Sequence, residues 1–291
     1  MTQPNSTLCS TLGPMSVSQM TPTQTELCKK LPFRLGTTSY IIPADILPNV
    51  DYLKNKVQDI ELVLFESQHQ SNIPSPDVVA QLAAIARQYQ LTYTVHLPYD
   101  VKAGSPDEAQ RQHAVDTWQR VICATCTLPV HGFIVHLEPE NYHSHAPAAN
   151  IPLWTAQVRR SLSDLRSSSL TTIDPSLICV ETLGYDLMPF VPGILANGFS
   201  LTLDVGHLWL NGYYSPSYVR QLLPHTRVIH LHGVQNNTDH QSLVVNDQRK
   251  LIEFLTILSD YTDRDMVVTL EVFSDSDFQS SVSLLKTIGA F

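Results

Sequence analysis

The chain repeats one pattern eight times: a short β-rich apolar run, then a longer stretch of helical periodicity. The runs are Arg34 to Tyr40, Ile60 to Glu66, Leu91 to His96, Gly132 to His136, Leu177 to Glu181, Phe199 to Asp204, Arg227 to His232 and Met266 to Glu271. Their apolar character is nearly continuous, as strands covered on both faces by crossover helices require. Pro76 to Tyr89 and Pro106 to Leu128 open on proline and then set apolar residues at helical spacing. Further helices are expected over Leu153 to Ser167, Tyr185 to Ala196, Pro216 to Leu223, Gln248 to Ser259 and Phe278 to Ile288, and over Asp45 to Lys54, which Pro48 interrupts. This alternation predicts an α/β chain folded as a (β/α)8 TIM barrel. A doubly wound open sheet is the competing arrangement. It normally carries a glycine-rich phosphate turn after its first strand, whereas Thr37-Thr-Ser-Tyr40 stands here and no G-x-G-x-x-G occurs.

A single large barrel needs a large core, and 291 residues of which 43% are hydrophobic supply it. The barrel domain is expected over residues 32–291. Residues 1–31, rich in Ser, Thr, Pro and Gln, read as a flexible, disordered tail that lacks the basic start and apolar centre of a secretory signal. No window approaches the ~18–20 continuous apolar residues of a membrane span. Five cysteines, an odd number and widely spaced, read as reduced thiols of a cytoplasmic protein. Cys123 and Cys126 have a redox spacing but sit late in a helical run, away from the N-terminus that would stabilise a thiolate, and read as structural, like Cys179. The net charge of −9 offers no general attraction for phosphate backbones or anionic membranes, so neither nucleic acid nor membrane is an expected partner.

In such a barrel the C-terminal strand ends converge on the face that holds the active site. Nearly every run here ends in a residue of chemical use: Glu66, His96, His136, Glu181, Asp204, His232 and Glu271. Taken singly, each has a structural reading, as a hydrogen-bonded core histidine or an acid paired at the rim. Together they resist it, because clustered buried carboxylates cost several kcal/mol per ion unless cations neutralise them, and divalent metals would do so. Asp204-Val-Gly-His207 places a carboxylate and an imidazole across a turn freed by glycine. His230 and His232 share one side of their strand, so one is read as a ligand and the other as a substrate contact, unranked. Asp239 and His240 are adjacent and ordinarily point apart. Glu66, Tyr40 and Ser39 are candidates for substrate contact or second-layer support, with packing and salt bridging as the alternatives. Lys102 and Arg249 are the best-placed cations for a phosphate, or solvated surface charges. His143 and His145 lie on a Pro-rich loop. No G-x-S-x-G elbow marks a nucleophile.

The ordered series His96, His136, Glu181, Asp204-Val-Gly-His207, His230 and Glu271 resembles the xylose-isomerase-like barrel superfamily, also called AP endonuclease family 2, over residues 34–290. In the isomerase branch the resemblance implies one divalent metal, with Glu181 and Glu271 as a proton-transfer pair. In the endonuclease IV branch it implies a first metal on His96, His136 and Glu181, and a second on Glu181, Asp204, His230 and Glu271. A third would rest on His207 with Asp239 and His240, where that branch has Asp-x-His and this chain has the two adjacent.

The opening run from Leu35 to Val50, the run from Val57 to Glu66, and His230-Leu-His-Gly-Val with Asp239-His240 resemble the cobamide-remodelling phosphodiesterases of this superfamily. That resemblance implies two or three divalent ions (Zn or Mn) and a small-molecule corrinoid substrate. It implies catalytic roles for Glu181, Glu271 and His207, and substrate contacts from Tyr40, Glu66, His232 and Lys102. The expected reaction is hydrolysis of the nucleotide-loop phosphodiester of a cobamide, giving cobinamide phosphate and the lower-ligand riboside. A divalent-metal sugar isomerase or epimerase is the alternative, and an apurinic-site endonuclease a weaker one.

Overall fold

A computed structural model of the chain describes residues 31–67, 70–138, 151–167 and 173–291. The expected tail, apart from Leu31, and the loop bearing His143 and His145 lie outside the described residues.

Eight parallel strands close a barrel. They are β1 (Arg34–Thr38), β2 (Asp59–Val63), β3 (Thr92–His96), β4 (Val130–Val135), β5 (Ile178–Glu181), β6 (Ser200–Asp204), β7 (Thr226–Leu231) and β10 (Val267–Leu270). Around the barrel they run β1-β10-β7-β6-β5-β4-β3-β2, so first and last strands pair directly. A two-stranded antiparallel hairpin, β8 (Gly233–Gln235) and β9 (Thr238–Gln241), stands on the loop after β7.

The helices are α1 (Ile46–Leu53), α2 (Pro76–Tyr89), α3 (Glu108–Thr125), α4 (Ile151–Ser167), α5 (Val191–Ala196), α6 (Val205–Asn211), α7 (Pro216–Leu222), α8 (Gln248–Leu258) and α9 (Asp275–Thr287). Pro48 does not break α1, because it lies in the first turn, where no intrahelical N–H is missed. The expected helix from Tyr185 begins only at Val191, with Pro192 in its first turn. Helix α6 is too short for periodicity to reveal. The polar hairpin strand TDHQ carries no strand signal either.

The core forms in two parts. On the outer barrel face, Leu62, Val95, Phe133, Val180, Leu203, Ile229, Leu231 and Val268 are buried together with helix stripes such as Val79, Leu82 and Ala86 of α2. Inside, Ile134, Cys179 and Val228 make a small separate apolar cluster. Side chains alternate along a strand, so these three share a face with His136, Glu181 and His230 respectively. The apolar plug therefore underlies the polar ends of the same strands. Cys123, Cys126 and Cys179 are free thiols.

Asp59 opens β2 fully buried, and Thr92 Oγ1 and Thr94 Oγ1 each donate to its carboxylate at 2.6 Å. Burial outweighs those hydrogen bonds and raises its pKa to about 6. The folded chain thus holds this proton more tightly than the unfolded chain does. The resulting stabilisation is complete below about pH 4 and is lost as pH rises through 6, an effect on the order of 3 kcal/mol. We expect Asp59→Asn to flatten the fall in stability between pH 4 and 7, as read from urea midpoints across that range.

Candidate metal centre

The strand ends deliver the donors, and one helix cap sets their geometry. Asp204 ends β6 and is also the N-cap of α6, its Oδ1 accepting the His207 N–H at 2.6 Å. An N-cap and the third helical residue lie on the same side of a helix start. That is the physical reason for the D-x-x-H spacing: the His207 Nδ1 comes within 3.3 Å of Asp204 Oδ2 and 3.5 Å of Glu181 Oε1. The intervening Gly206 is required by a neighbour, since a Cβ there would stand 2.1 Å from His232 Cε1.

Three groups of donors converge, each with atoms within 4.8 Å of one another: His96, His136 and Glu181; Glu181, Asp204, His230 and Glu271; and His207, His232 and His240. Glu181 belongs to two of them. Its Oε2 lies 2.8 Å from His136 Nε2 and 3.7 Å from His96 Nε2, while its Oε1 lies 3.4 Å from His230 Nδ1. The two Nε2 atoms of His96 and His136 are only 3.1 Å apart.

The far nitrogens of these rings are held from behind, which leaves the near ones facing the cluster. His96 Nδ1 faces the Leu97 carbonyl at 3.0 Å, and His136 Nδ1 faces Glu138 at 3.3 Å. For His230 the arrangement is reversed: Nε2 faces Glu61 at 2.9 Å, leaving Nδ1 to the cluster, 3.0 Å from Glu271 Oε2 and 3.7 Å from Asp204 Oδ2. His232 is engaged on both sides. The His240 backbone N–H donates to its Nδ1 at 3.0 Å, and its Nε2 stands 3.2 Å from Asp204. It thereby ties the hairpin to the cluster.

Adjacency does not separate Asp239 and His240. The backbone at His240 is left-handed (φ 52°), and Asp239 Oδ2 comes 3.7 Å from His207 Nε2 and 4.0 Å from His240 Nε2. The two side chains that sequence spacing would point apart both face His207.

The buried donor set fits divalent cations. Glu181 Oε1, His230 Nδ1 and Glu271 Oε2 are buried without a hydrogen-bond partner, and all three belong to the same quartet. Such orphaned groups each cost about 1–3 kcal/mol unless a cation satisfies them. Among the described residues, every ion-pair partner of Glu181, Asp204 and Glu271 is a histidine. Burial opposes charge on these imidazoles, yet the carboxylates prevail: Glu181 and Glu138 hold His136 up at about 9, and Asp204 and Glu181 hold His207 up at about 10. Conversely, burial would raise Glu271, but His230 and His240 pull it down to about 2.

Other expected contacts fall elsewhere. Glu66 lies beyond the end of β2, bridged to Ser71, and its carboxylate pairs with Arg120 at 2.9 Å instead of reaching the centre. Glu61, earlier in the same run and fully buried, is the acid that enters the barrel. Its signal is a second acid on the face of Asp59, two residues further along the strand, whereas the ends of the apolar runs point to Glu66. Lys102 is exposed in a groove with Asp100 and His113, and Arg249 is exposed and paired with Asp247. Tyr40 takes a hydrogen bond from Asn72 and lines a cleft of about 730 Å³ with Ile41, Phe65, Tyr99 and Phe273. Tyr99 packs its ring against His96 and His136, and Phe273 against His240, so this cleft borders the donors.

Solved structures share the architecture. A D-tagatose 3-epimerase-like protein matches with a TM-score of 0.71 and 19% identity, over 88% of this chain and 97% of its own. D-psicose 3-epimerase from Clostridium cellulolyticum H10, solved with D-tagatose, gives 0.70 and 14%, over 89% and 100%. Endonuclease IV from Thermus thermophilus gives 0.62 and 16%, over 87% and 99%. A comparison with curated proteins finds no match. The family model for the xylose isomerase-like TIM barrel matches residues 54–288. With most of the chain inside that match and eight parallel strands closed into a barrel, the protein belongs to the xylose isomerase-like TIM barrel family.

Proposed function

We propose that the chain is a metal-dependent phosphodiesterase that hydrolyses the nucleotide-loop phosphodiester of a cobamide, releasing cobinamide phosphate and the lower-ligand riboside. The observation that carries this reading is the His96–His136 pair, whose Nε2 atoms meet 3.1 Å apart on Glu181. A one-metal isomerase has no use for it. Divalent ions, two or three of them and Zn or Mn by donor type, would supply Lewis-acid polarisation of the phosphoryl group and a water acidic enough to attack at neutral pH.

The residues then have distinct tasks. Glu181 divides its oxygens between two donor groups and sets their separation. Glu271 and Asp204 complete the quartet, and His207, between Asp204 and Asp239, would join His232 and His240 in holding a further ion. Tyr40, Phe65, Tyr99 and Phe273 offer an apolar wall beside them, suited to a large substrate with a hydrophobic body. The net charge of −9 favours such a small molecule over nucleic acid.

The second reading is a sugar epimerase. It is favoured by Glu181 and Glu271 lying in one quartet, where two carboxylates could work either face of a substrate carbon. The epimerases among the structural neighbours accord with it.

Incubation with a cobamide, followed by mass spectrometry, should show cobinamide phosphate and riboside; intact cobamide, with solvent deuterium entering a ketose, would select the epimerase. Purified protein should carry more than one tightly bound divalent ion per chain, and His96→Ala should remove one. A single ion unaffected by that change would refute the multi-metal centre. Because His136 and His207 titrate near 9 and 10 when carboxylates alone face them, they carry protons at pH 7.5 in metal-stripped protein. Metal uptake at that pH should therefore release protons, seen calorimetrically as a dependence on buffer ionisation enthalpy that shrinks toward pH 10.

A further inference from the structure

Among the described residues, Glu61 is the one fully buried acid near the centre that belongs to none of the donor groups. It lies on β2, and His230 on β7. In the barrel order these strands are separated by β1 and β10, so the two side chains meet across the interior. Glu61 Oε2 stands 2.9 Å from His230 Nε2, both residues having no exposed surface. Its other oxygen, Oε1, is buried with no hydrogen-bond partner.

Packing alone does not account for such a residue. Asp59, two positions earlier on the same strand, has both oxygens satisfied by threonine hydroxyls. Glu61 has a single strong contact and one bare oxygen, an arrangement that a leucine of similar volume would relieve. Its one contact is with the imidazole whose opposite nitrogen faces Glu181, Asp204 and Glu271.

We propose that Glu61 is a positioning residue for the central cation site: it accepts a hydrogen bond from His230 Nε2–H, so that the Nδ1 lone pair is presented to the quartet. An imidazole with both nitrogens unconstrained divides between two tautomers and can rotate, and only one of those states offers Nδ1 as a ligand. The carboxylate removes that choice and makes the ring a better donor. The proposal requires only that the quartet binds a divalent ion, and it holds for a phosphodiesterase and an epimerase alike.

The test uses the full chain, stripped of metal and titrated with Zn²⁺ against a competing chelator. Glu61→Leu should weaken the quartet's ion by roughly 10–100-fold, and Glu61→Gln, whose amide oxygen still accepts the hydrogen bond, should recover part of that loss. Far-UV circular dichroism and the Tm of the stripped proteins control for folding. In ¹⁵N-histidine-labelled wild type loaded with Zn²⁺, the resonances lost in His230→Gln should report a protonated Nε2 and a metal-bound Nδ1. Unchanged Zn²⁺ affinity in a folded Glu61→Leu protein, or a protonated Nδ1 on His230, overturns the proposal alone. A wild-type chain that binds no divalent ion overturns it together with the metal reading itself.

Discussion

Four carboxylates, Glu61, Glu181, Asp204 and Glu271, lie buried at one end of the barrel, and among the described residues only histidines pair with them. Concentrating negative charge in a low-dielectric interior is among the most expensive things a fold can do. Two solutions are open to this chain. Without metal, the imidazoles take up protons, which is why His136, His207 and His230 are all shifted upward despite their burial. Divalent ions would be held by the same nitrogens in place of those protons. Protons and divalent cations would thus compete for one set of donors, and the rest of the barrel holds that set in place.

The barrel does this through a simple geometric rule. Strand side chains alternate, so each strand that places an apolar residue in the plug places a donor at the mouth: Ile134 with His136, Cys179 with Glu181, Val228 with His230. The plug keeps water from beneath, and the parallel register brings Asp204 beside His230. Helix α6 then adds His207 from a different direction by capping on Asp204. One carboxylate thus terminates a strand, starts a helix and joins the quartet.

Much of this was legible in the residues. The eight apolar runs mark the eight barrel strands to within a few positions, because strands buried on both faces leave a strong apolar signature. The donors at strand ends were legible for the same reason. Glu61 was not, since a residue one pleat inside the strand looks like part of the wall unless its face is assigned. Glu66 ends the apolar run but lies beyond β2, and its pairing with Arg120 is the salt bridge that its position also allowed. The hairpin from Gly233 was hidden by its composition: its pairing rests on backbone bonds and on contacts with His232, which no local pattern encodes.

The left-handed residue at His240 changes what chain order implies about the site. One left-handed residue turns two neighbouring side chains toward the same imidazole, His207, where period-two alternation would send them apart. Order along the chain and position in space are therefore separable, and adjacent residues can serve one site.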